Sequence, residues 1–191
     1  KWYDLKINCN KSEIGVSEYR ELFLSSLKLR MRSDVPVGIC LSGGLDSSSI
    51  ATMLVLKGGY PELNTFSAVY NKGQIGDESD FINELNPILN KMHYTTPNAK
   101  SLWDDLTSFI EAMEEPVPST GPYAQFKVMQ LAKKHVTVTL DGQGADEQLA
   151  GYHYFYGFYF KELLKNFQLR KCASEVFYYL IRHKSIYGLK A

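Results

Sequence analysis

Net charge is the first thing this 191-residue chain lacks, since 21 lysines and arginines meet 21 aspartates and glutamates. Without a global positive field, nothing draws in nucleic acid or an anionic membrane surface, and any anion site must be local. Long apolar runs are missing too. The longest, Ile50–Leu56, contains Thr52 and falls far short of the roughly 20 residues that span a bilayer. Lys1–Asn10 has no charged stretch followed by an apolar one, so no secretory leader is expected there. Cysteine is scarce: Cys9, Cys40 and Cys172 are odd in number, widely spaced and in no metal-ligand pattern. Reduced thiols in a cytoplasmic protein are the expectation. Lys1 in place of an initiator methionine leads us to expect part of a longer chain. Internal repeats and low-complexity stretches are absent. What remains is 45% hydrophobic and 22% charged residues, the composition of a soluble globular domain with one full core.

Apolar spacing predicts a helix over 17–31 with Ser17 as its N-cap. Asp34-Val35-Pro36 breaks it. Val37–Leu41 is continuously apolar, which suits a strand buried on both faces. Ser42–Asp46 turns into a predicted helix over 47–57, ended by Gly58-Gly59. Asn64–Tyr70 is a second β-rich run. Further helices are predicted over 78–91, where Pro87 must kink the chain, over 102–113 and over 123–134. Val136–Leu140 is a third strand, and a glycine-rich turn, Asp141–Ala145, leads into an aromatic-rich helical tail. Strands alternating with helices predict a doubly wound α/β domain, mainly parallel, with helices on both faces. The tail's aromatic residues suit a ligand-stacking surface less well than helices built to pack on another segment.

Chemistry concentrates where the first strand ends. Ser42-Gly43-Gly44-Leu45-Asp46-Ser47 follows a buried strand and opens a helix. Two glycines let the backbone close tightly on a ligand. The N–H groups of the loop and of the helix's first turn converge as an anion site. Ser42 and Ser47 hydroxyls can add donors. Asp46 makes electrostatic sense there if it holds a divalent cation that bridges phosphates; the plainer alternative is a capping aspartate in a tight turn.

This loop resembles the SGGxDS pyrophosphate loop of the N-type ATP pyrophosphatases. The phosphate loop of the common ATPases, GxxxxGK(S/T), is absent, in keeping with AMP-forming chemistry. A second string, Asp141-Gly142-Gln143-Gly144-Ala145-Asp146-Glu147 through Gly151-Tyr152, is similar to the SGEGADE…GGY signature of the asparagine synthetase family, with Asp141 for Ser and Gln143 for Glu. A third, Glu111-Ala112-Met113-Glu114-Glu115-Pro116, is similar to that family's E-x-x-D-E-P block. On their own, Asp146 and Glu147 read equally as charges suiting a helix N-terminus, and Glu111 and Glu114, three apart on one helical face, as a solvated helix end. Asp77-Glu78 after the second strand resembles a trailing Asp-Glu of the family, and reads equally well as the first-turn charges of the next helix.

The resemblance implies an adenine nucleotide alpha hydrolase-like fold, with ATP and Mg2+ as cofactors. It implies ATP or pyrophosphate binding at Leu41, Ser42, Gly43, Gly44, Asp46, Ser47, Val69 and Gly142, metal binding at Asp46 and Glu114, and acid-substrate contacts at Gly144, Asp146 and Glu147. Ser119, Thr120 and Gly121 fall in the loop that handles aspartate. Glu111 falls on a general base for ammonia. The implied reaction belongs to asparagine biosynthesis: aspartate and ATP give an acyl-adenylate and pyrophosphate, and ammonia then gives asparagine. Amidotransfer to another carboxylate, or nucleotide binding without turnover, is the alternative. The organisation expected is a lead-in segment over 1–16, a synthetase domain over 17–151 and an incomplete helical segment over 152–191. A glutaminase domain of the same full-length chain would supply ammonia, no nucleic acid or membrane partner is expected, and a homodimer stays open. The family's later catalytic lysine has no match before Ala191.

Overall fold

The computed structural model describes residues 15–70, 74 and 76–183. Two compact units divide between Gly142 and Gln143. The first is built on parallel strands β1 (Val37–Cys40), β2 (Asn64–Ala68), β3 (Lys91–Thr95) and β4 (Val138–Leu140), in the spatial order β3-β2-β1-β4. Ile39 pairs with Thr65 on one side and Leu140 on the other, and Phe66 with His93. The chain steps from β1 out to β3, then returns to set β4 on the far side of β1. That reversal makes the gap between β1 and β4 the topological switch point, where ligands meet a doubly wound sheet. The fold is the doubly wound α/β class that the alternation predicts.

The unit's helices are α1 (Val16–Arg30), α2 (Leu45–Met53), α3 (Ser79–Asn83), α4 (Ala99–Met113) and α5 (Gly121–Ala132). Alternation along β1 explains how they are layered. Ile39 and Leu41 enter a core with Leu27 of α1 and Met31 just past its end, Ile50 and Ala51 of α2, and Ile82 of α3. Cys40 points the other way, into a core with Phe66 and with Val128 and Ala132 of α5. Burying a side chain the size of Ile39 or Phe66 contributes about 1.5–3 kcal/mol. Anchored on both faces, β1 delivers the loop after it to a fixed place. Gly59, left-handed at φ 89°, ends the single π-helical turn Leu54–Gly58 that continues α2.

Three expectations need correction. α1 starts at Val16 behind Gly15, so Ser17 lies within the first turn and caps nothing. The helix predicted over 78–91 is only Ser79–Asn83, and β3 takes the residues from Lys91 on. α4 begins three residues before the predicted start, because Asn98 and Ser101 form a capping box: Ser101 N–H donates to Asn98 Oδ1 at 2.9 Å and Asn98 N–H to Ser101 Oγ at 3.0 Å.

Low on β1, Gly38 leaves room for an aromatic stack. A Cβ there would lie 2.6 Å from the Phe66 ring and 3.0 Å from the Asn64 carbonyl oxygen. The Phe66 ring stacks on His93 at 5.1 Å, and His93 lies 4.0 Å from His135. His93 Nε2 meets Asn64 Oδ1 at 2.9 Å. Burial first, then the charges of His135 and Lys91, hold His93 below the ordinary value of 6.5. A histidine depressed in the folded state contributes stability that is present above its unfolded pKa and lost as pH falls through the folded one. Thermal melts from pH 8 downward should therefore show stability falling below about pH 6.5. His135→Gln should make that fall shallower without abolishing it, because burial remains; an unchanged pH profile in the variant would remove the pair from the explanation.

The second unit contains α6 (Ala145–Leu149), α7 (Tyr154–Lys165) and α8 (Leu169–His183). Phe160 and Leu163 of α7 pack with Cys172 and Tyr179 of α8. Phe158, Phe167, Phe177 and Tyr178 stay exposed. No helix among the described residues is long and apolar enough to cross a membrane.

Candidate functional site

Leu41, the last apolar residue before the loop, is 1% exposed and is fixed to β2 twice. Its N–H donates to Phe66 O at 2.8 Å, and its carbonyl accepts the Ser67 hydroxyl at 2.6 Å. The chain then folds back on Ser47, which is buried. Ser42 N–H reaches Ser47 Oγ at 3.2 Å, the two hydroxyls meet at 3.1 Å, Gly44 N–H reaches Ser42 Oγ at 3.3 Å and Ser47 Oγ donates to Gly44 O at 3.3 Å. A hydroxyl has one proton, so Ser47 gives its proton to Gly44 O and Ser42 gives its own to Ser47. Both hydroxyls that the sequence offers to a ligand are thus engaged in holding the loop's shape.

The donors left over belong to the backbone. α2 makes its first bond from Ser48 N–H to Gly44 O, at 3.1 Å. The N–H groups of Leu45, Asp46 and Ser47 precede that bond, as the first donors of any helix do, and with the helix dipole they suit an anion. Gly43 is required twice. Its φ is +87°, and a Cβ would meet Ile82 Cγ1 at 3.0 Å and Glu78 O at 3.2 Å. Asp46, half-buried, stands in this first turn.

From β4 comes the other side of the site. Gly142 lies against the start of α2 so closely that a Cβ would fall 3.0 Å from Asp46 Cβ and 3.1 Å from Ser47 N. The structure therefore brings Leu41, Ser42, Gly43, Gly44, Asp46, Ser47 and Gly142 together at the switch point. Sequence reading missed Gln125, whose Nε2 donates to Asp141 Oδ2 at 3.5 Å and contacts Cys40 Sγ at 3.8 Å. Burial, then the Asp141 charge, pushes the Cys40 thiol up to about 11, so it stays protonated near neutrality.

Val69 lies just past β2, and its N–H is taken by Thr95 O at 2.9 Å. The Val69 N–H is therefore not available to a ligand. Asp77 turns out to be a clasp between Tyr70 and Ser79, and burial raises the Glu78 carboxyl.

Glu111 and Glu114 come from the end of α4. Glu111 is exposed on the last turn of α4, while Glu114 is the C-cap in the left-handed region at φ 57°. Their expected common face ends one residue short. Among the described residues neither carboxylate has a hydrogen bond or ion pair. α4 is tied to α5 by Asp105, which accepts from Lys127 Nζ at 2.7 Å and Tyr123 OH at 2.8 Å; these contacts hold the Asp105 carboxyl below its ordinary range.

Gly144, Asp146 and Glu147 belong to the second unit. Gly144 is left-handed at φ +90°, and the two carboxylates occupy the first turn of α6. Tyr152 OH donates to Glu147 Oε1 at 2.8 Å. That bond is the main cause of the phenol being pushed up to about 12.

Among the described residues no group of three or more His, Cys, Asp and Glu could hold a metal by itself. Asp46 beside an anion site nevertheless fits magnesium, which keeps waters and takes one or two carboxylates plus phosphate oxygens.

Fold and loop together define a doubly wound α/β domain with a closed glycine loop and a helix start at its switch point. The asparagine synthase family matches residues 18–187. The glutamine-hydrolysing asparagine synthetase 1 of Bacillus subtilis is 36% identical over 141 residues, covering 73% of this chain and 22% of its own length. Escherichia coli asparagine synthetase B, also glutamine-hydrolysing, is 24% identical over 153 residues, covering 73% and 28%. Amidase chry2 of Gibberella zeae is 26% identical over 163 residues, covering 76% and 24%. The chain belongs to the asparagine synthase family and is a synthetase domain of it. It spans about a quarter of the length of these curated relatives, between 22% and 28%.

Proposed function

We propose that this protein forms an amide at the expense of ATP, by way of an acyl-adenylate. The side-chain carboxylate oxygen of aspartate attacks the α-phosphorus of ATP. The bond to the bridging oxygen breaks, pyrophosphate leaves, and β-aspartyl-AMP remains. Ammonia then attacks the acyl carbon, AMP leaves with its oxygen, and asparagine is the product after loss of a proton from nitrogen. One observation carries the reading: the Ser42–Ser47 loop, closed by its own hydroxyls, opens α2 with the N–H groups of Leu45, Asp46 and Ser47 ahead of the helix's first bond, and Gly142 lies against that first turn. Preformed donors of this kind stabilise charge gathering on a leaving pyrophosphate without reorganising.

Magnesium, when bound, would neutralise phosphate charge, and Asp46 would hold it with Glu114 as a candidate second ligand. Glu111 as the base for ammonia, and Gly144, Asp146 and Glu147 at the acid, belong to this reading through the resemblance. The carbonyl of Val69 suits adenine, whose 6-amino group donates, and opposes guanine, whose oxygen accepts. Ammonia would come from a glutaminase domain of the full-length protein, as the names of two relatives suggest. The replacements Asp141 and Gln143 favour a second reading, in which the acid is not aspartate.

MgATP should raise the melting temperature by several degrees and GTP much less. In the full-length protein, pyrophosphate release should depend on one acid in a screen headed by aspartate. If millimolar ATP leaves the melt unmoved, the loop is not a nucleotide site; acid-independent release would reject the adenylate.

A further inference from the structure

The carboxylate of Asp77 joins two backbone segments, the exit of β2 and the start of α3. Its Oδ1 accepts Tyr70 N–H at 3.2 Å and Ser79 N–H at 3.3 Å, and its Oδ2 accepts the Ser79 hydroxyl at 2.8 Å. Tyr70 follows the exit of β2, and Ser79 opens α3. On the other side of the same exit, Val69 N–H is held by Thr95 O at 2.9 Å. The two peptides around Val69 are thus pinned in turn, the first by β3 through the Val69 N–H and the second by Asp77 through the Tyr70 N–H. α3 also underlies the phosphate loop: Gly43 rests against Glu78 O, Phe81 and Ile82.

We infer that Asp77 is a positioning residue for the adenine side of the nucleotide cleft, fixing the β2 exit to the same short helix that supports the phosphate loop. The inference rests on the proposed nucleotide reading. The two supports differ in strength. Ile82 is fully buried in the core, so α3 keeps its place under Gly43 without Asp77. The Tyr70 end depends on a charge-assisted hydrogen bond. Removing the carboxylate should therefore loosen the base wall and spare the phosphate loop.

The test is calorimetric titration of the protein with MgATP and, separately, with magnesium pyrophosphate, which has no base. Asp77→Ala should weaken MgATP by roughly tenfold, the size of one lost charge-assisted bond, and leave pyrophosphate within about twofold. Asp77→Asn keeps an acceptor for Tyr70 N–H and should stay within about threefold of wild type for both ligands. Equal losses for ATP and pyrophosphate would make Asp77 a general fold element and overturn the inference. So would an unchanged ATP affinity in Asp77→Ala, or an Asn variant as weak as the Ala one. Wild-type protein that binds neither ligand overturns the nucleotide reading itself, and this inference with it; wild-type protein that binds pyrophosphate but not ATP leaves the loop and overturns the base wall.

Discussion

Asp46→Asn should weaken ATP binding about a hundredfold in the presence of Mg2+, a change of about 2.7 kcal/mol, and leave metal-free ATP binding unchanged or slightly tighter. The sign follows from where the carboxylate stands. Asp46 occupies the first turn of α2, among the N–H groups that make the anion site. A bare carboxylate about 4 Å from a phosphate charge opposes it by about 4 kcal/mol at an effective dielectric of 20, and half-exposure lowers that figure. A divalent cation between the two turns repulsion into attraction. Asparagine abolishes both effects at nearly constant shape, so the variant loses with metal and gains without it. Titrations with Mg2+ and with a chelator measure the difference. A small, equal loss in both would reduce Asp46 to an ordinary helix N-terminal charge, worth about 0.3–1 kcal/mol.

Legibility in the sequence followed the range of the interactions. β1 could be read because both its faces are buried, which leaves a continuous apolar run from Val37 to Leu41. The tight turn after β1 could be read because two glycines, two serines and an aspartate stand contiguous between a buried strand and a helix. β3 escaped because it is an edge strand: Lys91 and Tyr94 are exposed, and polar residues interrupt its apolar pattern. The start of α4 escaped because its cap, Asn98 with Ser101, precedes the first large apolar residue, Leu102. Asp77 was legible as an acidic residue near a helix start. Its second partner, Tyr70, lies seven residues back and is reached only when the loop closes. Pairing of the Ser42 and Ser47 hydroxyls is a similar case: the spacing admits it, but only the turn at Gly43 brings them to 3.1 Å. Glu111 and Glu114 illustrate a limit of periodicity, since three-residue spacing implies a shared face only while the helix continues, and it ends at Met113.

Gly142→Val should abolish protection by MgATP while leaving the ligand-free melt within a few degrees of wild type. No left-handed strain enters here, because Gly142 is not among the positive-φ glycines; the argument is space alone. The added Cβ would lie 3.0 Å from Asp46 Cβ and 3.1 Å from Ser47 N. α2 cannot retreat, since Ile50 and Ala51 hold it in the core. The loop after β4 must therefore lift, at a cost of about 1–3 kcal/mol typical of overpacking, and the valine methyls stand over the Ser47 N–H that the phosphate needs. Gly142→Ala, with the Cβ but not the methyls, should fall between the two. Gly15→Ala, where a Cβ would meet nothing within 4 Å, should behave as wild type. ATP titration and ligand-free melts of these three variants separate a blocked site from a damaged fold. Native MgATP affinity in Gly142→Val would show that the phosphate does not lie between the β1 and β4 loops, and that the switch point is not where this protein binds its nucleotide.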